Sequence, residues 1–323
     1  MLETFLATAG WDTARRSPLA GDASARRYTR LKSPSGSAIL MEDPEGDPAR
    51  FAALARYLTQ HGLSAPRILA EAPGLLLIED LGDALFAGLA DRDEATEIRL
   101  YETAIEALLA LQRLSPPPGL ARADAGYFAR QTEDALGWYL TGAGTETRPE
   151  DRTDLAAALS AAIDRHCPDC AVTILRDYHA ENLIWLPERE GPARAGLLDF
   201  QDALVGHRAY DVVSLLEDAR RDVSEPAREA AIRLYLGATG LSDEGFSAAL
   251  AVQGAARNLR ILGIFARLAA VRGKPHYVDM MPRVWAHLMR DLRHPALADL
   301  TPRVTDLLPA PEPAVREHMK RHA

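Results

Sequence analysis

Lysine is nearly absent from this chain: three of its 37 basic residues, Lys32, Lys274 and Lys320, are lysines, and the rest are arginines. No Gly-Lys-Ser/Thr string occurs, which excludes a P-loop. The skew towards arginine is what a GC-rich coding sequence leaves. Cysteine is equally scarce. Cys167 and Cys170 form a C-x-x-C beside His166, but two thiols fall short of the four ligands of a structural zinc site. A redox motif of the thioredoxin type needs a strand before it and a helix after it, and here the order is reversed. No apolar run reaches the roughly 18–20 residues of a membrane span. Met1-Leu2-Glu3-Thr4-Phe5 lacks the basic and apolar regions of a secretory signal. These absences predict a cytoplasmic protein with no membrane partner. The formal charge of −9 argues against nucleic acid as a partner, because phosphate backbones are held by concentrated Lys and Arg. No obligate protein partner is evident.

The 323 residues suffice for one large or two moderate domains. Up to about residue 80 the chain reads as short strands plus one helix. Arg26–Leu31 and Ala38–Met41 form two strands across the turn Ser33-Pro34-Ser35-Gly36. Asp47-Pro48 opens a helix to about Gln60, with Phe51, Leu54, Ala55 and Leu58 on one face, and His61-Gly62 ends it. A strand pair follows near Arg67–Glu71 and Leu75–Glu79. Beyond Gly82 helices dominate. Arg92–Leu114 carries Ile98, Tyr101, Ile105, Leu108 and Leu111 at helical spacing, and Pro116-Pro117-Pro118 stops it. Further helices are expected over 125–140 and 150–166 and throughout the chain after Tyr210. Between them lie three short strands, Thr173–Leu175, Leu183–Leu186 and Ala195–Leu198. The expectation is an α+β, bilobal molecule: residues 1–81 as a small lobe with an antiparallel sheet and one helix, and 82–323 as a larger, mostly helical lobe. A ligand would bind in the cleft between them.

The segment Ile174-Leu175-Arg176-Asp177-Tyr178-His179-Ala180-Glu181-Asn182-Leu183-Ile184 contains R-D-x-x-x-x-N ahead of a strand, the arrangement of a kinase catalytic loop. Seventeen residues after Asn182 an apolar strand ends in Asp199-Phe200. A hairpin from Leu183 to Leu198 brings Asn182 and Asp199 together at its open end. Two oxygen ligands there suit Mg2+ on the phosphates of ATP, with Asp177 placed to deprotonate an acceptor hydroxyl.

On these residues the chain resembles the aminoglycoside phosphotransferase/choline kinase superfamily, which has a protein-kinase-like fold. More closely, Gly21-Asp22-Ala23-Ser24-Ala25-Arg26-Arg27-Tyr28 is similar to the nucleotide loop of the anomeric N-acetylmuramate/N-acetylglucosamine kinases. The segments Ile39-Leu40-Met41-Glu42-Asp43-Pro44, Leu77-Ile78-Glu79-Asp80-Leu81-Gly82 and Leu198-Asp199-Phe200-Gln201-Asp202-Ala203 share that likeness, which covers roughly residues 20–220. The resemblance implies ATP and Mg2+ as cofactors, Asp177 as catalytic base and Asn182 and Asp199 as metal ligands. It also implies nucleotide contacts at Ser24, Glu79 and Leu81, and a small-molecule acceptor, an N-acetylated amino sugar, phosphorylated in cell-wall recycling. Asp211 matches a family aspartate that braces the catalytic loop. His179, Gln201 and Asp202 flank the loop where an acceptor could receive hydrogen bonds. Aminoglycosides, amino alcohols and homoserine are the alternative acceptors, and a nucleotide-binding pseudokinase is the non-enzymatic alternative.

Two departures stand out. The slot of the third-strand lysine of protein kinases reads Ala38-Ile39-Leu40-Met41, and the following helix has no glutamate to pair with it. Arg26 or Arg27 could supply the missing positive charge, and strand alternation lets only one of them face the cleft. Leu175 stands where the superfamily commonly has a histidine that braces the loop. Trp138, Tyr139, Trp185 and Trp285 read as core residues.

Overall fold

Apolar residues run unbroken through Ala38-Ile39-Leu40-Met41, the mark of a strand buried on both faces. In the computed structural model, which describes residues 1–19, 26–34, 36–44 and 47–321, this segment is the centre of a five-stranded antiparallel sheet. The strands are β1 (Arg15–Pro18), β2 (Arg27–Ser33), β3 (Gly36–Glu42), β4 (Ile68–Ala72) and β5 (Leu75–Glu79), in the order β1-β2-β3-β5-β4. Alternation divides the side chains between two cores. Leu31, Ala38, Leu40 and Leu77 face helix α1 (Leu2–Thr8) through Leu6. Ile39, Met41, Leu76 and Ile78 face helix α2 (Pro48–Gln60) and the interior of the molecule. Asp47 caps α2 by accepting from the Arg50 N–H at 3.2 Å.

Helix α1 and strand β1 were not legible in the sequence. Seven residues are too few to hold a helix without packing, and Leu2, Phe5 and Leu6 are ordered by the outer face of the sheet. Strand β1, Arg-Arg-Ser-Pro, has no apolar alternation because it is an exposed edge, with Pro18 at its end.

After the sheet come α3 (Phe86–Ala90), α4 (Glu94–Gln112), α5 (Ala125–Gly142) and α6 (Pro149–His166). Four short strands then form two nested hairpins. The inner pair is β7 (Leu183–Trp185) with β8 (Ala195–Leu197), and the outer pair is β6 (Val172–Ile174) with β9 (Leu204–Gly206). Only β9 escaped the sequence reading, since Leu-Val-Gly is too short to carry a pattern. The remainder is helical: α7 (Ala209–Leu216), α8 (Glu225–Thr239), α9 (Asp243–Arg272), α10 (Met281–Asp291), α11 (Thr301–Leu307) and α12 (Pro313–Arg321). No helix among the described residues is long and apolar enough to cross a membrane.

Helix α9 is the 30-residue axle of this half, and α5 crosses it closely. Gly263 makes the crossing possible: a Cβ there would overlap the backbone of Ala135. The two helices therefore touch main chain to main chain, and their longer side chains splay to either side. Gly263→Ala should force them apart and cost about 1–3 kcal/mol. Thermal denaturation should register a drop of several degrees, and an unaltered midpoint would mean that the crossing is looser than described.

Candidate active site

Nested hairpins place two loops at one end. Residues 175–182 join the outer strand β6 to the inner β7, and 198–203 join the inner β8 back to the outer β9. The Leu198 N–H donates to the Asn182 carbonyl at 3.0 Å, so Asn182 and Asp199 are neighbours across the mouth of the inner hairpin. Arg176 (φ 74°) and Asp199 (φ 53°), one in each loop, are the only non-glycine residues of positive φ among the described residues. Side chains resist that backbone region, at a cost of about 1–3 kcal/mol each, and it persists where surrounding structure enforces it.

At Arg176 that enforcement comes chiefly from Asp211 on α7, which is fully buried. The Leu175 N–H donates to its Oδ2 at 2.6 Å and the Arg176 N–H to its Oδ1 at 2.9 Å. Ser214 donates to the Arg176 carbonyl at 3.0 Å, and the Tyr178 hydroxyl donates to the Ala104 carbonyl on α4 at 2.7 Å. Burial pushes the Asp211 carboxyl up to about 7, against the two N–H bonds that favour its charged form.

Asp177 is half-buried and its carbonyl accepts from the Asn182 side-chain amide at 2.8 Å. That contact uses the amide nitrogen of Asn182 and leaves its oxygen for another partner. The Asp199 carboxyl is raised by burial and by the nearby Asp177, while the 2.8 Å bond from Gln201 Nε2 to its Oδ1 works the other way. One carboxylate and one amide oxygen form a donor set suited to magnesium, which keeps waters and substrate phosphates as its other ligands. Among the described residues no three His, Cys, Asp or Glu side chains converge on one metal position. The described side chains alone therefore build no closed metal cage.

Of the two arginines left open by alternation, Arg26 turns inward. Its Nε donates to Asp43 Oδ2 at 2.8 Å, and Asp199 also contributes to keeping it charged against burial. Arg27 is exposed and meets Glu42 at 3.3 Å. Met41, in the lysine slot, is completely buried under α2. The lysine–glutamate link of protein kinases has a different substitute here: Phe51 of α2 stacks on Phe200 at 4.8 Å, and the Arg50 guanidinium donates to the Ala203 carbonyl at 3.2 Å.

Glu79 and Leu81 lie where the sheet meets the helices. The Glu79 carboxylate accepts from Arg67 (3.2 Å) and from Arg189 of the β7–β8 hairpin (2.9 Å), tying the two halves together. Arg30 adds a second tie to Asp80 and Asp83, one that the sequence reading missed because the partners are some fifty residues apart. Leu81 packs over Gly196 of β8. Ser24 lies outside the described residues.

His179 is buried, with Nε2 3.2 Å from Arg220 and 3.4 Å from the Asn182 amide. Gln201 is buried against Asp199, and Asp202 is exposed, with its carbonyl accepting from Arg176 at 3.4 Å. None of these three lines the large cavity beside the loop. That cavity, about 610 Å3, lies between α5 and α9 on one flank of their crossing. Arg260 and Arg267 are seven residues apart on α9, two turns on one stripe, and Gln131, Asp134 and Trp138 form the facing stripe of α5. Arg152 of α6 and Arg176 of the loop complete the wall. Asp177 contributes to holding the charge of Arg260, which burial opposes, so the cavity adjoins the loop aspartate. Trp138 is 40% exposed and belongs to this wall rather than to the core. Tyr139, by contrast, is completely buried.

Both cysteines are buried free thiols, and burial pushes Cys167 up to about 12, away from the reactive thiolate.

A small sheet with a helix on its inner face, joined to a helical body that carries a D-x-x-x-x-N loop and a strand-terminal aspartate, defines the protein-kinase-like class of phosphotransferases, and here α1 covers the outer face as well. Residues 15–249 match the model of the phosphotransferase enzyme family, and the chain belongs to that family, an enzyme of the kinase type. It is 41% identical to an N-acetylmuramate/N-acetylglucosamine kinase of Caulobacter vibrioides, over 92% of this chain and 93% of that one. A protein of the same description from Pseudomonas aeruginosa is 34% identical, over 92% and 90% of the two chains. Among solved structures, a choline/ethanolamine kinase family protein from Mesorhizobium loti has the same fold, with a TM-score of 0.62 at 15% identity, covering 99% of this chain and 98% of that one.

Replacing Asp211 with alanine strands two buried N–H donors, at about 1–3 kcal/mol each. The wild type also carries a pH signature. A carboxyl raised from its unfolded value of 3.8 to about 7 favours the folded state below pH 3.8, and that advantage is lost as pH rises through 7. Urea unfolding at pH 5 and pH 8 should therefore show Asp211→Ala less stable at both, with the gap narrower at pH 8. A gap that stays the same at both pH values would place Asp211 as a carboxylate charged throughout.

Proposed function

We propose that this chain transfers the γ-phosphoryl group of ATP to the anomeric hydroxyl of N-acetylmuramate or N-acetylglucosamine, giving the 1-phosphate in cell-wall sugar recycling. The observation that carries the reading is the convergence of Asp177, Asn182 and Asp199 on one hairpin mouth, in a chain 41% identical to a kinase described as acting on those two sugars. Residues 1–81 serve as the nucleotide lobe, with the backbone of Glu79 and Leu81 towards adenine and Ser24 and Arg26 towards the phosphates. Residues 82–323 carry the catalytic loop and the acceptor. Location in the cytoplasm accords with an ATP-dependent step.

In this mechanism the acceptor oxygen forms its bond to the γ-phosphorus as the bond to the β,γ-bridging oxygen breaks, and ADP leaves. Asp177 orients the hydroxyl and takes its proton, late in a loose transition state. An anomeric hydroxyl is more acidic than an ordinary alcohol, so a carboxylate suffices as base. Asn182 and Asp199 would hold Mg2+, which neutralises the phosphate charge when bound. Arg26 adds a positive charge that Asp43 keeps in place. Gln201 orients the Asp199 carboxylate, and His179 braces Asn182 from behind the loop.

The cavity favours a sugar over a cationic aminoglycoside or amino alcohol, since its wall bears four arginines against Asp134.

Magnesium-dependent ADP release should be measured with N-acetylmuramate, N-acetylglucosamine, glucose, choline, homoserine and kanamycin. Turnover with the two N-acetyl sugars and a 1-phosphate product is expected; turnover with another acceptor alone would discard the substrate and keep the chemistry. Asp177→Asn should lower kcat by about 10²–10⁴-fold while ATP binding persists. Unchanged turnover in that variant would sink the mechanism, and ATP binding without turnover by the wild type on any acceptor would favour a pseudokinase.

A further inference from the structure

The two sugars differ at one substituent: N-acetylmuramate carries a lactyl ether on O3 that ends in a carboxylate, and N-acetylglucosamine has a free hydroxyl there. Resting on the acceptor reading above, we propose that Arg152 and Arg267 form a carboxylate subsite that binds the lactyl group of N-acetylmuramate, with Arg260 behind them and Trp138 as the sugar platform.

Four arginines line the α5–α9 cavity, and among the described residues none of them forms an ion pair with a carboxylate. Asp134, exposed on the opposite stripe, is the one acidic side chain of the wall. Several arginines elsewhere, Arg16, Arg30, Arg221 and Arg283 among them, each meet a carboxylate at 2.7–3.0 Å. Arg260 is only 6% exposed, donates to the Tyr210 hydroxyl at 3.1 Å, and its Nε has no protein acceptor. The Nε of Arg152 is likewise buried without one. Four guanidinium groups around one cavity repel one another, most strongly at the buried Arg260, and an anion between them relieves that repulsion.

The layout also orders the ligand. Arg176 and Arg260 belong to the Asp177 end of the cavity, as loop neighbour and as charge partner. Arg267 lies seven residues further along α9, about 10 Å by helical rise. Arg152 lies across Gly137, where its Nη1 would be 2.6 Å from a Cβ, so the absence of a side chain there gives it room. The anomeric oxygen belongs at Asp177, and the lactyl arm on C3, two ring carbons away, extends outward from the ring towards Arg152 and Arg267. A guanidinium fork matches a carboxylate with two parallel bonds. Trp138 offers a flat apolar face to the pyranose between the two ends.

The test is Arg152→Gln and Arg267→Gln, assayed with both sugars and with the methyl ester of N-acetylmuramate, alongside calorimetric binding of each. These positions are chosen because Arg267 is exposed and Arg152 half-buried, whereas a change at Arg260 endangers the fold. The ratio of kcat/KM for N-acetylmuramate over N-acetylglucosamine should fall about tenfold or more in each variant. The fall should reside in KM and in calorimetric affinity, and the wild type should treat the methyl ester more like N-acetylglucosamine. Equal losses on both sugars, or an unmoved ratio, would overturn the subsite while leaving the kinase reading intact. If the wild type neither binds nor phosphorylates either sugar, the acceptor reading fails and the subsite with it.

Discussion

The Asp211 carboxylate is the constraint on which the site depends. It accepts from the N–H groups of Leu175 and Arg176, just before Asp177, and so sets the path of the loop from inside the core. Arg176 can occupy positive φ because its N–H is held by Asp211 and its carbonyl by Ser214, two residues on the same helix. From that fixed start, the Tyr178 anchor to α4 and the Asn182 bond to the Asp177 carbonyl close the loop. Loss of the superfamily's loop histidine at Leu175 is therefore compatible with an ordered loop: Leu175 contributes its backbone N–H, and its side chain is core.

A second dependence runs between the two halves. Protein kinases align their sheet helix by a lysine–glutamate pair, which this chain lacks on both sides. Burying Met41 in the lysine slot avoids the desolvation of an unpaired ammonium, and α2 is aligned through the Phe51–Phe200 stack and the Arg50 bond to Ala203. The hinge is then secured by carboxylates, with Glu79 held by Arg67 and Arg189 and Asp80 by Arg30. Lobe alignment, which a lysine–glutamate pair supplies elsewhere, falls to Phe51 here, and the proposed phosphate-facing charge is that of Arg26.

What was legible in the sequence follows from range. The catalytic loop, the hairpin and the terminal Asp199 lie within one stretch, and local spacing dictates their meeting. The strands β2 to β5 announced themselves by apolar segments between turn residues, and helix α2 by Asp47-Pro48 and His61-Gly62. Helix α1, strand β1 and strand β9 did not, because each is stabilised by partners distant in sequence rather than by its own pattern. Trp138 read as core because an aromatic at helical spacing generally is; the Gly263 crossing, a contact between residues over a hundred positions apart, turns it to the cavity. Alternation stated that one of Arg26 and Arg27 faces inward, and only the position of Asp43 tells which.

The main-chain contact of Gly263 with Ala135 has a further consequence for how this scaffold diversifies. Because the helices meet through backbone, the side chains flanking the crossing carry little of the packing that holds α5 against α9. Positions 131, 134, 138 and 267 can therefore exchange charge, length or polarity while the rods and the loop beside them keep their places, whereas the buried Arg260 is tied to Tyr210. On the proposed reading, acceptor preference becomes a property of a few replaceable wall positions, evolving on a timescale of its own, apart from the chemistry proposed at Asp177.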